Sequence, residues 1–194
     1  MLLSHSHKFI YIHIQKTGGS SVLDALWPYI VKDEAYAHKK SDAKYFSYGP
    51  LHGGYHSCAD LIKKYPGYFT FAFVRNPWER AFGYYWFDKK YFPRRLRHGG
   101  FYEYCRAHMG QPQTSWVTVG GKIAVDFLGK YESLEDDYLK ACELIGIDDP
   151  PKLQHINKNP IKPDMDYREF FDDNAKDVIY KIHKGDIKRF GYEF

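Results

Sequence analysis

Apolar and polar positions alternate along the chain in a way that lays out strand, turn and helix in repeated order. Lys8 to Ile14 is a short β-branched and aromatic run, and the glycine-containing stretch Gln15 to Gly19 follows it directly, which predicts a strand entering a loop. From Ser20 to Trp27 the residues Val22, Leu23 and Leu26 fall on one helical face, and Pro28 ends that helix. Tyr68 to Val74 is apolar throughout except for Thr70, the pattern of a parallel strand buried on both faces, and belongs at the centre of a sheet. Asn76 and Pro77 suit the N-cap and first position of a helix, and Glu79 favours its first turn. Phe82, Tyr85, Trp86 and Tyr91 give this helix an apolar face for covering the sheet. Pro93 and the basic Arg94, Arg95 and Arg97 close the segment.

Further along, Lys122 to Leu128 has strand character. Ser133 with Asp136 three residues later reads as a capping box with the shorter acid, ahead of a stripe of Leu134, Tyr138, Ala141 and Ile145 that stops at Gly146. A linker holding Pro150, Pro151, Pro160 and Pro163 leads to a last helix over Asn174–Phe190, with Val178, Ile179, Ile182 and Ile187 as its inward face. From about Lys32 to Tyr55 the chain is polar and aromatic with little periodicity, a loop-rich excursion. There are no internal repeats. Strands alternating with helices predict an α/β class, a P-loop-like three-layer fold with a mainly parallel central sheet flanked by helices, as a single domain over residues 1–194.

Composition narrows the function classes. With 44% hydrophobic and 27% charged residues over 194 positions the chain can build its own core, so disorder and fibrous classes drop out. The net charge of +4 is mild and its basic residues are dispersed, which points away from nucleic acid and toward a small anionic ligand. Aromatic residues make up 19%, with 18 Tyr, enough amphipathic ring surface to stack on a nucleotide base or a sugar. Cys58, Cys105 and Cys142 are far apart and read as free thiols. No apolar run approaches the roughly 18 residues of a membrane span, and no basic-then-apolar signal stretch opens the chain, so the cytoplasm is the expected compartment.

The chemistry concentrates in two stretches. In HIQKTGGSS, His13 to Ser21, a strand turns through glycines into a helix and presents backbone amides to an anion. Gly18 and Gly19 allow close approach, Thr17, Ser20 and Ser21 add hydroxyls, and Lys16 adds a full charge. Lys16 precedes the glycines, so the loop does not match the GxxxxGK[ST] pattern of nucleotide kinases. The second stretch, FVRNPWERAFGYY from Phe73 to Tyr85, leaves the end of the expected central strand, where ligands of open α/β sheets gather.

Both stretches resemble motifs of the sulfotransferases that use 3′-phosphoadenosine 5′-phosphosulfate (PAPS). The Lys16 loop is similar to their 5′-phosphosulfate loop, in which the lysine stabilises charge on the leaving phosphate. Arg75 matches the arginine of their 3′-phosphate motif. The serine expected eight positions on is Gly83, and Arg80, one turn into the helix, is the substitute donor in this reading. VDFLGKYESLEDDY at Val125 to Tyr138, then KLQHIN and DIKRFGYEF, extend the resemblance over nearly the whole chain, toward the small, soluble bacterial-type members of the carbohydrate sulfotransferase superfamily. Lys130 stands for their usual arginine, exchanging a bidentate contact for a single-point one.

The resemblance implies sulfuryl transfer from PAPS to a hydroxyl, with a glycan as the expected acceptor, 3′,5′-adenosine bisphosphate as product and no metal required. It also implies a histidine base in the loop before the 3′-phosphate strand. His52 lies at the matching distance from Arg75 and His56 is the reserve, with His13 and His155 as further alternatives. His52 and His56 have the i,i+4 spacing of zinc ligands, but Gly53 and Gly54 between them argue against a helix. Two other readings compete: a P-loop kinase or NTPase, and a nucleotide-binding relative without turnover, which the Gly83 and Lys130 departures invite.

Overall fold

The computed structural model describes residues 2–30, 58–97, 99–156 and 159–194. His38, His52 and His56 lie outside the described residues. Contacts divide the chain into two compact units, Met1–Val74 with Ser115–Ile156, and Arg75–Thr114 with Asn157–Phe194.

The first unit holds a sheet in the order β1-β2-β3-β6, formed by β1 (Leu2–Ser4), β2 (Phe9–Ile12), β3 (Phe69–Val74) and β6 (Phe127–Lys130). The strand β1 pairs antiparallel with β2, and β2, β3 and β6 run parallel, with Ile12 opposite Ala72 and Val74 opposite Lys130. This is the mixed α/β class with a mainly parallel sheet flanked by helices that the alternation of elements predicts. Phe9, Tyr11, Phe71 and Phe73 point to one face. There they meet Val22, Ala25 and Leu26 of α1 (Gly19–Leu26) and Tyr138, Ala141 and Cys142 of α6 (Leu134–Leu144). Ile10, Ile12, Ala72 and Val74 alternate with them and are equally buried, which is why β3 reads as a continuous apolar run. Each buried Phe, Ile or Val side chain among these contributes about 1.5–3 kcal/mol.

Several local expectations shift in the first unit. The strand expected over Lys122–Leu128 is two pieces: Lys122 and Ile123 form β5, in a hairpin with β4 (Thr118–Val119), and the sheet strand begins only at Phe127. Asp126 makes the break, since its carboxylate accepts from the amide and hydroxyl of Thr70, both at 2.7 Å, and fixes where β6 joins β3. Ser133 does not cap α6 through Asp136. Its hydroxyl donates to Asp137 at 2.8 Å, and the Lys130 amide donates to the same oxygen at 2.7 Å. A short helix, α2 (Cys58–Lys64), precedes β3.

The second unit is helical. Asn76 caps α3 (Pro77–Tyr91) by accepting from the Trp78 amide, as expected. Phe82, Tyr85 and Trp86, which the sequence pattern turns toward the sheet, pack against Phe170, and Tyr85 also meets Phe101 and Tyr104. Phe101 and Tyr104 belong to α4 (Phe101–His108), a helix in a stretch to which the sequence pattern assigns no element; the Gly100 amide donates to Glu103 at its start. The last helix, α7 (Asp173–Phe190), is capped by Asp172 and ends at Gly191 in the left-handed conformation. Its inward face includes His183 and Asp186 with Ile179 and Ile187, while Val178 and Ile182, also expected there, are only partly buried. Buried Asp88 accepts from Arg95 and from the Tyr104 hydroxyl, and α5 (Thr114–Val117) is the turn by which the chain returns to the first unit.

Candidate functional site

In the first unit, β2 ends at Ile12 on the carboxyl edge of the parallel strands and the chain turns through His13–Gly18 into α1. Lys16 adopts a left-handed backbone at φ 66°, uncommon for a residue with a Cβ, and Gly18 follows at φ 79°. Strained non-glycine positions of this kind persist where surrounding structure over-determines them, and they cluster at ligand clamps. Thr17 is fully buried and its hydroxyl donates to the Ile14 carbonyl at 2.8 Å, so this proton closes the turn itself. Gly18 is the N-cap of α1 and provides no side-chain acceptor for the first-turn amides; Ser20 and Ser21, both half-buried, stand in that turn. The arrangement suits an anion.

Packing explains both glycines. A Cβ on Gly18 would lie 2.4 Å from Leu134 Cδ2 and 3.2 Å from the Tyr131 ring, and one on Gly19 would lie 2.0 Å from the His13 ring. The His13 imidazole therefore rests against the start of α1, stacked at 6.0 Å on Tyr11. Lys130 ends β6 opposite Val74, on the same edge of the sheet as the end of β2. His155, an alternative base in the sequence reading, is exposed.

In the second unit, Arg75 is buried, and its guanidinium donates to Glu79 at 2.7 Å across one helical turn. Arg80 is 2% exposed, with its guanidinium 5.2 Å over the Tyr84 ring and within reach of the Tyr84 hydroxyl and the Gln111 carbonyl. Gly83 is buried on the same helix. Sequence reasoning missed Lys162. It follows a turn in which Asn159 donates to the Trp86 carbonyl, and its ammonium lies 5.1 Å over the Phe82 ring, next to Gly83 in sequence. Burial first, and then the charge of Arg75, hold the Lys162 pKa below the ordinary lysine value, partly offset by Glu79 and Asp164. Only a long-range contact reveals this cation; its proline-flanked sequence reads as linker.

Among the described residues, no three His, Cys, Asp or Glu side chains gather to hold a metal ion, and no helix is long and apolar enough to cross a membrane. Cys58, Cys105 and Cys142 are buried and unbridged, and burial, with the charge of Asp172, pushes the Cys105 thiol up to about 12.

A family model described as Sulfotransferase family matches residues 1–109, which include the Lys16 loop, Arg75, Arg80 and Gly83. An uncharacterized protein of Archaeoglobus fulgidus is 31% identical over 90 residues, covering 44% of this chain and 73% of that protein. No solved structure matches.

Proposed function

The chain belongs to the sulfotransferase family, and from that premise we propose that it moves a sulfuryl group from PAPS to a hydroxyl of a carbohydrate acceptor. The observation that carries the reading is the loop after β2, with left-handed Lys16 and Gly18 ahead of a helix start at the carboxyl edge of a parallel strand. In this reading Lys16 and the amides and hydroxyls at Gly18, Gly19, Ser20 and Ser21 hold the 5′-phosphosulfate, while Thr17 shapes the turn. Arg75 takes the 3′-phosphate, with Arg80 and Lys130 as supporting cations. Lys162 replaces the hydroxyl that Gly83 lacks, and Lys162→Met should lose preference for a 3′-phosphate; an unchanged preference removes it from the site.

The acceptor oxygen attacks sulfur in line, the bond from sulfur to the 5′-phosphate oxygen breaks, and the electron pair leaves on 3′,5′-adenosine bisphosphate. Lys16 stabilises that charge, and the acceptor's proton passes to a histidine. We assign the base to His52, with His56 in reserve; His13 is the alternative because its ring rests on Gly19. The exposed rings of Tyr91 and Phe92 suit stacking on a sugar.

Two measurements test the proposal. In thermal shift, 3′,5′-adenosine bisphosphate should stabilise the protein without magnesium, and ATP should do so weakly; magnesium-dependent stabilisation by ATP alone would mark a kinase instead. Labelled PAPS incubated with the protein and a glycan panel should yield labelled product, and binding without any transfer would reduce the protein to a non-catalytic relative.

A further inference from the structure

Arg75 sits where β3 has ended and α3 has not begun, so its backbone amide and carbonyl need partners outside regular structure. Gln113 supplies both. Its side-chain oxygen accepts from the Arg75 amide at 2.9 Å and its side-chain nitrogen donates to the Arg75 carbonyl at 2.8 Å, so one primary amide acts as a substitute strand neighbour. Gln113 is itself held: its backbone amide and that of Thr114 donate to the two carboxylate oxygens of Asp186, at 2.7 and 2.8 Å. The Nδ1 of His183 meets the same carboxylate at 3.2 Å, and Gln113, His183 and Asp186 are all 0% exposed. The stretch before Gln113 also reaches the second arginine, since the Gln111 carbonyl accepts from Arg80 at 3.4 Å.

We infer that Gln113, braced by Asp186 on α7, is the positioning residue that sets the Arg75 backbone and so aims its guanidinium at the 3′-phosphate. The inference rests on the reading of Arg75 as the 3′-phosphate arginine. Burial makes the network specific, because a side chain offering only an acceptor or only a donor would lose one of the two bonds that Gln113 makes to the Arg75 backbone in a dry site. Burial raises the Asp186 pKa, but the hydrogen bonds from His183, Thr114 and Gln113 outweigh it and leave the group below the usual carboxylate value, so the brace stays charged at neutral pH.

The test is calorimetry of 3′,5′-adenosine bisphosphate and adenosine 5′-monophosphate on wild type, Gln113→Leu, Gln113→Glu, Arg75→Ala and Gln113→Leu/Arg75→Ala. Gln113→Glu keeps size and acceptor but loses the donor to the Arg75 carbonyl, and serves where the leucine variant fails to fold. Either variant should weaken the bisphosphate about tenfold or more, the equivalent of about 1.4 kcal/mol, while the monophosphate stays within about twofold. Once Arg75 is alanine, the Gln113 change should cost the bisphosphate nothing further. A Gln113 variant that weakens both nucleotides alike, or adds its full effect to Arg75→Ala, overturns the positioning role and leaves Arg75 in place. If Arg75→Ala itself weakens both alike, the 3′-phosphate reading fails and the inference goes with it.

Discussion

Gly18→Ala separates backbone strain from steric crowding in the anion loop. At φ 79° an alanine carries the left-handed penalty, about 1–2 kcal/mol. Its Cβ would also sit 2.4 Å from Leu134 Cδ2, well inside contact distance, and forcing an extra carbon into a packed site costs about 1–3 kcal/mol. The expected loss is therefore about 2–5 kcal/mol, which for a chain of this size lowers the melting temperature by roughly 4–20 °C. Circular dichroism melts of Gly18→Ala, Leu134→Ala and the double variant apportion the two parts. Removing Cδ2 takes away the clash but not the strain, so the double variant should be more stable than the sum of the single losses by about 1–3 kcal/mol. A Gly18→Ala protein melting within a degree of wild type would show that the loop relaxes at no cost, and the account of Gly18 would be wrong.

Lys16→Ala should lower sulfate transfer by about 10²–10³-fold, as loss of one preorganised transition-state donor does, with the melting curve little changed; near wild-type turnover in the labelled-PAPS assay removes the assigned role. With His52 as base the rate should rise with pH through the histidine range, about 6.5 for an unperturbed imidazole, and His52→Ala should abolish that limb while bisphosphate affinity holds. Persistence of the limb in His52→Ala, but not in His56→Ala or His13→Ala, moves the base to one of those residues. Asp186 has a folded pKa below its unfolded value of about 3.9, so it contributes stability above that value and loses it as pH falls through the lower folded one. The stability difference between wild type and Asp186→Asn should accordingly be full at neutral pH and shrink in acid below about pH 4; a difference that stays constant down to pH 2 contradicts the charged brace.

The local signals carried the elements whose causes lie within a few residues. The cap at Asn76, the turn through Gly18, the buried run of β3 and the stripe of α6 all depend on contacts between near neighbours or on strict periodicity, and each reads correctly from the chain. The places of Lys16 in the turn after β2 and of Arg75 between β3 and α3 follow from the same local signals. Where partners are distant in sequence, the pattern misled. Lys122–Leu128 looks like one strand until Thr70, 56 residues from Asp126, breaks it, and the aromatic face of α3 finds α4 and Phe170. Gln113, Asp186, His183 and Lys162 are ordinary polar residues in sequence. Only tertiary packing strips Gln113, Asp186 and His183 of water, so that their few hydrogen bonds hold the Arg75 backbone, and half-buries Lys162 near the charge of Arg75.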